Sequence, residues 1–226
     1  MQRLLAHTGL YIFKRKSTLP DDLKTLREQL PSLFFEHQRK LGKVSSEGSR
    51  LAWSMKVFDF HYYSQTKKII VLDSDALFSY PPTEVINWAK KDDLCLYAQP
   101  YNPNLRISPT LLKEKLNLDS PITAFNSGLL AIDKKVLALS AVKSMVTNII
   151  EERDVSMYGD ECFWRLLFST INTEALPIKR HPLIATKKKY LAIEKDSPDY
   201  YYMHYLLKYR YGIYTSLLNK LLKNNS

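Results

Sequence analysis

Asp73 and Asp75 stand one residue apart at the end of a short apolar run, Lys67-Lys-Ile-Ile-Val-Leu-Asp-Ser-Asp-Ala-Leu-Phe78. Alternate residues at a strand end can point the same way, so two carboxylates at this spacing could share a hard divalent cation. Such a cation could in turn hold a diphosphate. The element that must position them is the run itself. Ile69 to Leu72 are consecutively apolar, carry β-branched bulk and follow no helical period, which predicts a strand buried on both faces. Ligands of open α/β sheets sit beyond the carboxyl ends of such strands, where these two aspartates are expected.

The surrounding sequence supplies the rest of a sheet. Gly9-Leu-Tyr-Ile-Phe13 and Leu33-Phe-Phe35 read as strands that precede the aspartate run. Between them, Ser17-Thr-Leu-Pro-Asp-Asp22 opens a helix, with hydroxyls before it, Pro20 near its first position and acids in its first turn. Arg50 to Gln65 reads as a helix carrying Leu51, Met55, Phe58 and Tyr62 on one face. Pro81-Pro-Thr-Glu84 begins a short helix, and Leu94-Cys-Leu-Tyr97 and Gly128-Leu-Leu-Ala-Ile132 are further buried strands. Residues 99–110, rich in proline and amides, form a loop over the sheet edge. A long helix is expected over about Lys134 to Glu152, and a shorter one from near Gly159-Asp160. Segment 177–199 is basic and irregular. The tail from about 200 to 226 is tyrosine-rich and ends in an amphipathic helix, with Ile213, Tyr214, Leu217, Leu218, Leu221 and Leu222 on one stripe. Strands alternating with helices, with no internal repeat, predict a single α/β domain over 1–226 with a central, mostly parallel sheet flanked by helices.

Bulk properties bound the function. With 226 residues the chain can bury one real core but not two comfortable ones. Its formal net charge of +10 points to an anionic partner: nucleic acid, an anionic membrane surface or phosphorylated small molecules. No apolar run approaches the roughly 20 residues that span a bilayer. Cys95 and Cys162 both lie in apolar segments and read as buried free thiols, so a cytoplasmic setting is expected. Six glycines form neither a GxGxxG nor a P-loop, which argues against a dinucleotide enzyme or a Walker-type NTPase.

Taken in order, Leu72-Asp-Ser-Asp75, Phe125-Asn-Ser-Gly128, Gly159-Asp-Glu161 and Met203-His-Tyr205 resemble the motifs of nucleotide-sugar-dependent glycosyltransferases of the GT-A fold. The similarity is greatest to glycosyltransferase family 8 and its bacterial relatives, and it spans about residues 50–212. The resemblance implies a Rossmann-like GT-A domain that moves a sugar from a nucleotide diphosphate sugar, UDP-linked, to an acceptor hydroxyl. It implies Asp73, Asp75 and His204 as metal ligands. Oxygen donors with one imidazole suit Mn²⁺ better than Mg²⁺, which stays the alternative. A metal bridging both phosphates would neutralise the charge of the leaving group. The resemblance also sets Asp73 against the ribose, with Ser74 beside it in the donor site. Arg50 and Lys56 would offer cations to the nucleotide or its phosphates. Asn126 and Ser127 would bond the sugar hydroxyls above a tight turn at Gly128. Asp160, at a helix start that suits its charge, is implied beside the anomeric carbon as a sugar-hydroxyl ligand or nucleophile, which makes Asp160 and Asn126 the candidate catalytic residues. The chain departs from the family at three positions. Leu207 stands where a glycine is usual, Arg210 where a phosphate-binding lysine is usual, and Glu161 where a glutamine follows the aspartate. Arg210 can still bind phosphate, bidentately rather than as a point charge. The implied partners are a nucleotide sugar and a glycan or glycolipid acceptor, and no nucleic acid is expected.

Each feature also has a plainer reading. Aspartates after a strand cap turns, Asn126-Ser127-Gly128 could be only a turn, and Asp160 only a helix N-cap. His204 could be a partly buried histidine bonded to backbone. The basic, aromatic tail reads either as a helix docked on the domain or as a peripheral anchor at an anionic membrane on the inner face. A HAD-type phosphatase also places Asp-x-Asp after an apolar strand, but it wants Thr or Val beyond the second aspartate, where Leu77-Phe78 stand here. A nucleic-acid binder would suit the charge, yet no zinc, helix-turn-helix or RNP-type pattern accompanies it.

Overall fold

The computed structural model describes residues 19–29, 56–73, 76–78, 81–99, 113–114, 116–119, 121–151, 159–184 and 202–205. Strands β1 (Lys68–Leu72), β3 (Cys95–Ala98), β4 (Asn126–Asp133) and β5 (Thr173–Ala175) form one sheet in the order β1-β4-β3-β5. A second, smaller sheet joins β2 (Ala76–Phe78), β7 (Tyr202–Tyr205) and β6 (Leu183–Ile184) in the order β2-β7-β6. In the larger sheet β3 and β5 are parallel, and β4 runs antiparallel to both β1 and β3. Three of its four described strands therefore share a direction, with the reversed β4 between them.

β4 is the sheet's centre because its sequence buries on both sides. All eight of its residues are buried. Leu130 and Ile132 face one core with Val71, Cys95 and Tyr97, while Leu129 and Ala131 face the other with Leu96 and Ala98. This is the period-two alternation of a strand covered on two faces. Full burial of each leucine or isoleucine contributes about 2 kcal/mol before entropy is counted.

The first face is covered by α1 (residues 21–29), α2 (residues 56–63), α4 (Leu139–Glu151) and α5 (Gly159–Ser169). α1 opens where expected: Lys24 N–H bonds the Pro20 carbonyl at 2.9 Å, and Leu19 and Leu23 are buried one turn apart. The second face is covered by α3 (Thr83–Trp88), through Val85 and Trp88.

Several expectations need correcting. β1 is not buried on both faces: Ile69 and Val71 meet the helices, but Ile70 and Leu72 are 51% and 40% exposed. On the other side α3 meets β1 through Lys68, whose ammonium lies over the Trp88 ring, and Ile70 and Leu72 stay exposed. In α2, Phe58 is buried as expected but Tyr62 is exposed, while Val57 and His61 turn inward. The long helix starts at Leu139 rather than Lys134, because Asp133 ends β4 in a turn. The Asp133 carbonyl accepts the N–H groups of Val136 and Leu137, and its carboxylate accepts those of Asp93 and Lys135. β4 also begins at Asn126, so Gly128 lies within a strand rather than at a turn. The expected strands at 9–13 and 33–35, the loop at 100–110 and the C-terminal helix lie outside the described residues.

Candidate active site

Three of the four motif pieces meet where β1 ends. β1 and β4 pair in register to Leu72 and Leu129, and Asp73 N–H continues the ladder to the Gly128 carbonyl at 2.9 Å. The chain then turns, with Ala76 N–H donating to the Asp73 carbonyl at 3.1 Å, and enters β2. Asp73 is thereby held at the carboxyl end of a core strand with its side chain 31% exposed.

Lys56, the first described residue of α2, lies buried beneath it. Its Nζ donates to Asp73 Oδ1 at 2.7 Å, to the Ser127 carbonyl at 2.6 Å and to Ser127 Oγ at 3.3 Å. A buried ammonium needs acceptors of this kind to offset its desolvation. Lys56, which the motif resemblance implies as a cation for the nucleotide or its phosphates, joins the aspartate motif to the start of β4 through its ammonium.

Next to Ser127, Asn126 is fixed at both ends of its amide. Its Oδ1 accepts Gly128 N–H at 2.9 Å and its Nδ2 donates to Glu161 Oε2 at 3.3 Å. The Gly128 bond sets the amide orientation, leaving the NH₂ end toward α5. Phe125, one residue earlier, stacks on Tyr97 at 5.0 Å between centroids and meets Phe168 of α5 edge-on at 5.4 Å. That aromatic contact anchors α5 against β4, and so sets Glu161 against Asn126. Asp160 precedes Glu161 in the first turn of α5.

The fourth piece arrives from far along the chain. In β7, His204 is the register partner of Ala76, the residue that follows Asp75. Strand pairing thus brings the backbone of His204 beside the aspartate motif. Ser74, Asp75, Arg50 and Arg210 lie outside the described residues. Among the described residues no group of three or more His, Cys, Asp or Glu side chains could hold a metal ion. Asp73 is an oxygen donor of the kind a hard divalent ion takes, 31% exposed at the strand end, and the His204 backbone is drawn to the same turn.

Two features were not legible beforehand. The Lys56–Asp73 pair joins residues 17 apart across a helix-to-strand connection, for which no sequence period exists. The Asn126–Glu161 contact needs the packing of α5 on β4 to be known. The sequence marks Glu161 only as a departure from the family's glutamine.

No protein-family profile matches the sequence, and no curated protein matches it. Solved structures do match. The galactosyltransferase LgtC, in complex with donor and acceptor sugar analogues, is 16% identical, with a TM-score of 0.52 over 81% of this chain and 72% of that one. The bifunctional glycosyltransferase WbbM is 10% identical, with a TM-score of 0.51 over 79% of this chain and 36% of that longer one. Mouse xyloside xylosyltransferase 1 is 15% identical, with a TM-score of 0.45 over 80% of this chain and 72% of that one. The fold is the GT-A fold that the four motifs led one to expect.

Proposed function

We propose that this chain is a glycosyltransferase that moves a sugar from a nucleotide diphosphate sugar, UDP-linked, to an acceptor hydroxyl. The observation that carries the reading is the convergence of Asp73, Ser127, Asn126 and Glu161 at the end of β1, on a GT-A fold. That fold favours the transferase over the phosphatase and nucleic-acid-binding alternatives.

Asp73, Asp75 and His204 would hold Mn²⁺, or Mg²⁺. The ion, when bound, supplies charge to a diphosphate as it leaves. The protein's own contribution is orientation. Asn126 and Ser127, buried and pre-aligned, would present an amide and a hydroxyl to the sugar hydroxyls without reorganising. Asp160 would stand near the reacting carbon, on the first turn of a helix. Arg50, Ser74, Gly128 and Arg210 complete the donor site in this reading, with Arg210 bonding phosphate.

The acceptor would be a glycan or glycolipid, and the setting the cytoplasm, with the basic tail at the inner membrane face. The net charge of +10 supports an anionic surface. Among the described residues no helix is long and apolar enough to cross a membrane. Flotation with anionic vesicles tests that part, and an unbound protein would remove it.

The deciding experiment is nucleoside diphosphate release from UDP-, GDP- and dTDP-linked sugars and nucleoside monophosphate release from CMP-linked ones, with Mn²⁺ or EDTA, beside Asp75→Asn. Metal-dependent turnover of one donor, lost in the variant, is expected. No turnover, with no Mn²⁺-dependent nucleotide binding, would reject the proposal.

A further inference from the structure

We propose that Lys56 is a positioning residue: an internal counter-cation that aligns Asp73 with Ser127 and weakens cation binding at Asp73. The inference rests on the transferase reading of the same site. Three observations carry it. The Lys56 side chain is nine-tenths buried, so its charge is poorly screened by water. It contacts Asp73 Oδ1 at 2.7 Å, while the Asp73 side chain remains 31% exposed. It also bonds both the carbonyl and the hydroxyl of Ser127.

The backbone already ties these two segments together, since Asp73 N–H bonds the Gly128 carbonyl. Strand pairing therefore does not need the lysine. What Lys56 adds is the direction of two side chains, the carboxylate on one segment and the hydroxyl on the other. A carboxylate that already faces an ammonium presents a reduced field to a second cation. A divalent ion bound at Asp73 would lie within a few ångströms of that ammonium. Even at a water-like dielectric, repulsion at that range corresponds to roughly tenfold in affinity. Orientation and weakened cation binding thus come from the same side chain.

The reading differs from the simpler one in which Lys56 binds the donor phosphates. A phosphate-binding lysine, once removed, weakens nucleotide binding and leaves metal affinity unchanged. A counter-cation, once removed, tightens metal binding while turnover falls.

The test is Mn²⁺ titration of the full chain without nucleotide, followed by electron paramagnetic resonance, in wild type and Lys56→Met. Donor turnover and melting temperature are measured on the same samples. About tenfold tighter Mn²⁺ binding in Lys56→Met is expected, with kcat reduced at least tenfold and the donor KM moved by less than threefold. Lys56→Arg, which keeps the charge, should hold Mn²⁺ affinity within about twofold of wild type. If Lys56→Met does not fold, Lys56→Gln carries the same comparison, because it is neutral and keeps a donor for Ser127. Unchanged or weaker Mn²⁺ binding in the folded neutral variant, against a wild type that binds, overturns the inference alone. A wild type that binds neither Mn²⁺ nor any nucleotide overturns the transferase reading and this inference with it.

Discussion

Asn126 and Glu161 meet side chain to side chain, Nδ2 to Oε2 at 3.3 Å, across the packing of α5 on β4. A strand residue implied at the donor sugar is thus oriented by a helix residue one step beyond Asp160. The carboxylate can only accept here, so together with the Gly128 N–H it holds the NH₂ end of the amide toward α5.

Breaking that contact should therefore cost turnover more than stability. Glu161→Gln keeps an acceptor oxygen for Asn126 and is expected to retain donor turnover within about fivefold. Glu161→Leu removes it and should lower kcat by roughly ten- to a hundredfold, for an orientation effect. Asn126→Ala goes further, because it also strips the buried Gly128 N–H of its side-chain acceptor. An additional loss of about 1–3 kcal/mol is expected there from urea unfolding. Equal activity in Glu161→Leu and wild type would separate Glu161 from the site.

What the sequence disclosed, and what it withheld, follows from the range of each interaction. The β4 run and α5 were visible as local patterns, because burial on two faces and helical period leave marks within a few residues. The motif order was visible as well, and it pointed to the GT-A fold. β7 was visible only as a motif around His204 and not as a strand, since it is held between β6 and β2, and β2 lies more than a hundred residues earlier in the chain. The exposed side of β1 was misjudged for a related reason. Ile70 and Leu72 are as apolar as Ile69 and Val71, and only the placement of the helices tells them apart.

The buried ion pair that joins α1 to α2 should be costly to break. Arg27 Nη1 reaches Asp59 at 3.0 Å and 3.3 Å to its two carboxylate oxygens, and both side chains are buried. Removing one charge takes this partner from the other in a buried setting, and breaking a buried pair typically costs about 3–5 kcal/mol. Arg27→Met and Asp59→Leu should each show that loss in denaturant unfolding, while the double substitution recovers most of it. A double variant as unstable as the sum of the single ones would mean the two charges act independently.

Cys95 should be chemically silent in the native state. It is buried in β3, and burial pushes its thiol up to about 11, so almost none is thiolate at neutral pH. In a Cys162→Ser background, a thiol reagent at pH 8 should label Cys95 only as fast as the protein unfolds. Rapid labelling without denaturant would place Cys95 at an accessible surface.

His61 should give the protein a specific acid sensitivity. The residue is 3% exposed, and neither ring nitrogen has a hydrogen-bond partner among the described residues. Burial, with a smaller contribution from the Lys134 charge, lowers its pKa from 6.5 to about 4. The unfolded chain therefore takes up this proton first as pH falls. The stability from neutral His61 is fully present above pH 6.5 and is lost progressively as pH drops toward 4. The loss at the acid end is on the order of 3 kcal/mol. Replacing the ring with an uncharged aromatic, His61→Phe, should flatten the unfolding free energy between pH 6.5 and 4 relative to wild type. Carboxylates elsewhere titrate in both proteins and cancel in the difference. Parallel pH profiles for the two would mean that His61 is protonated within the folded core.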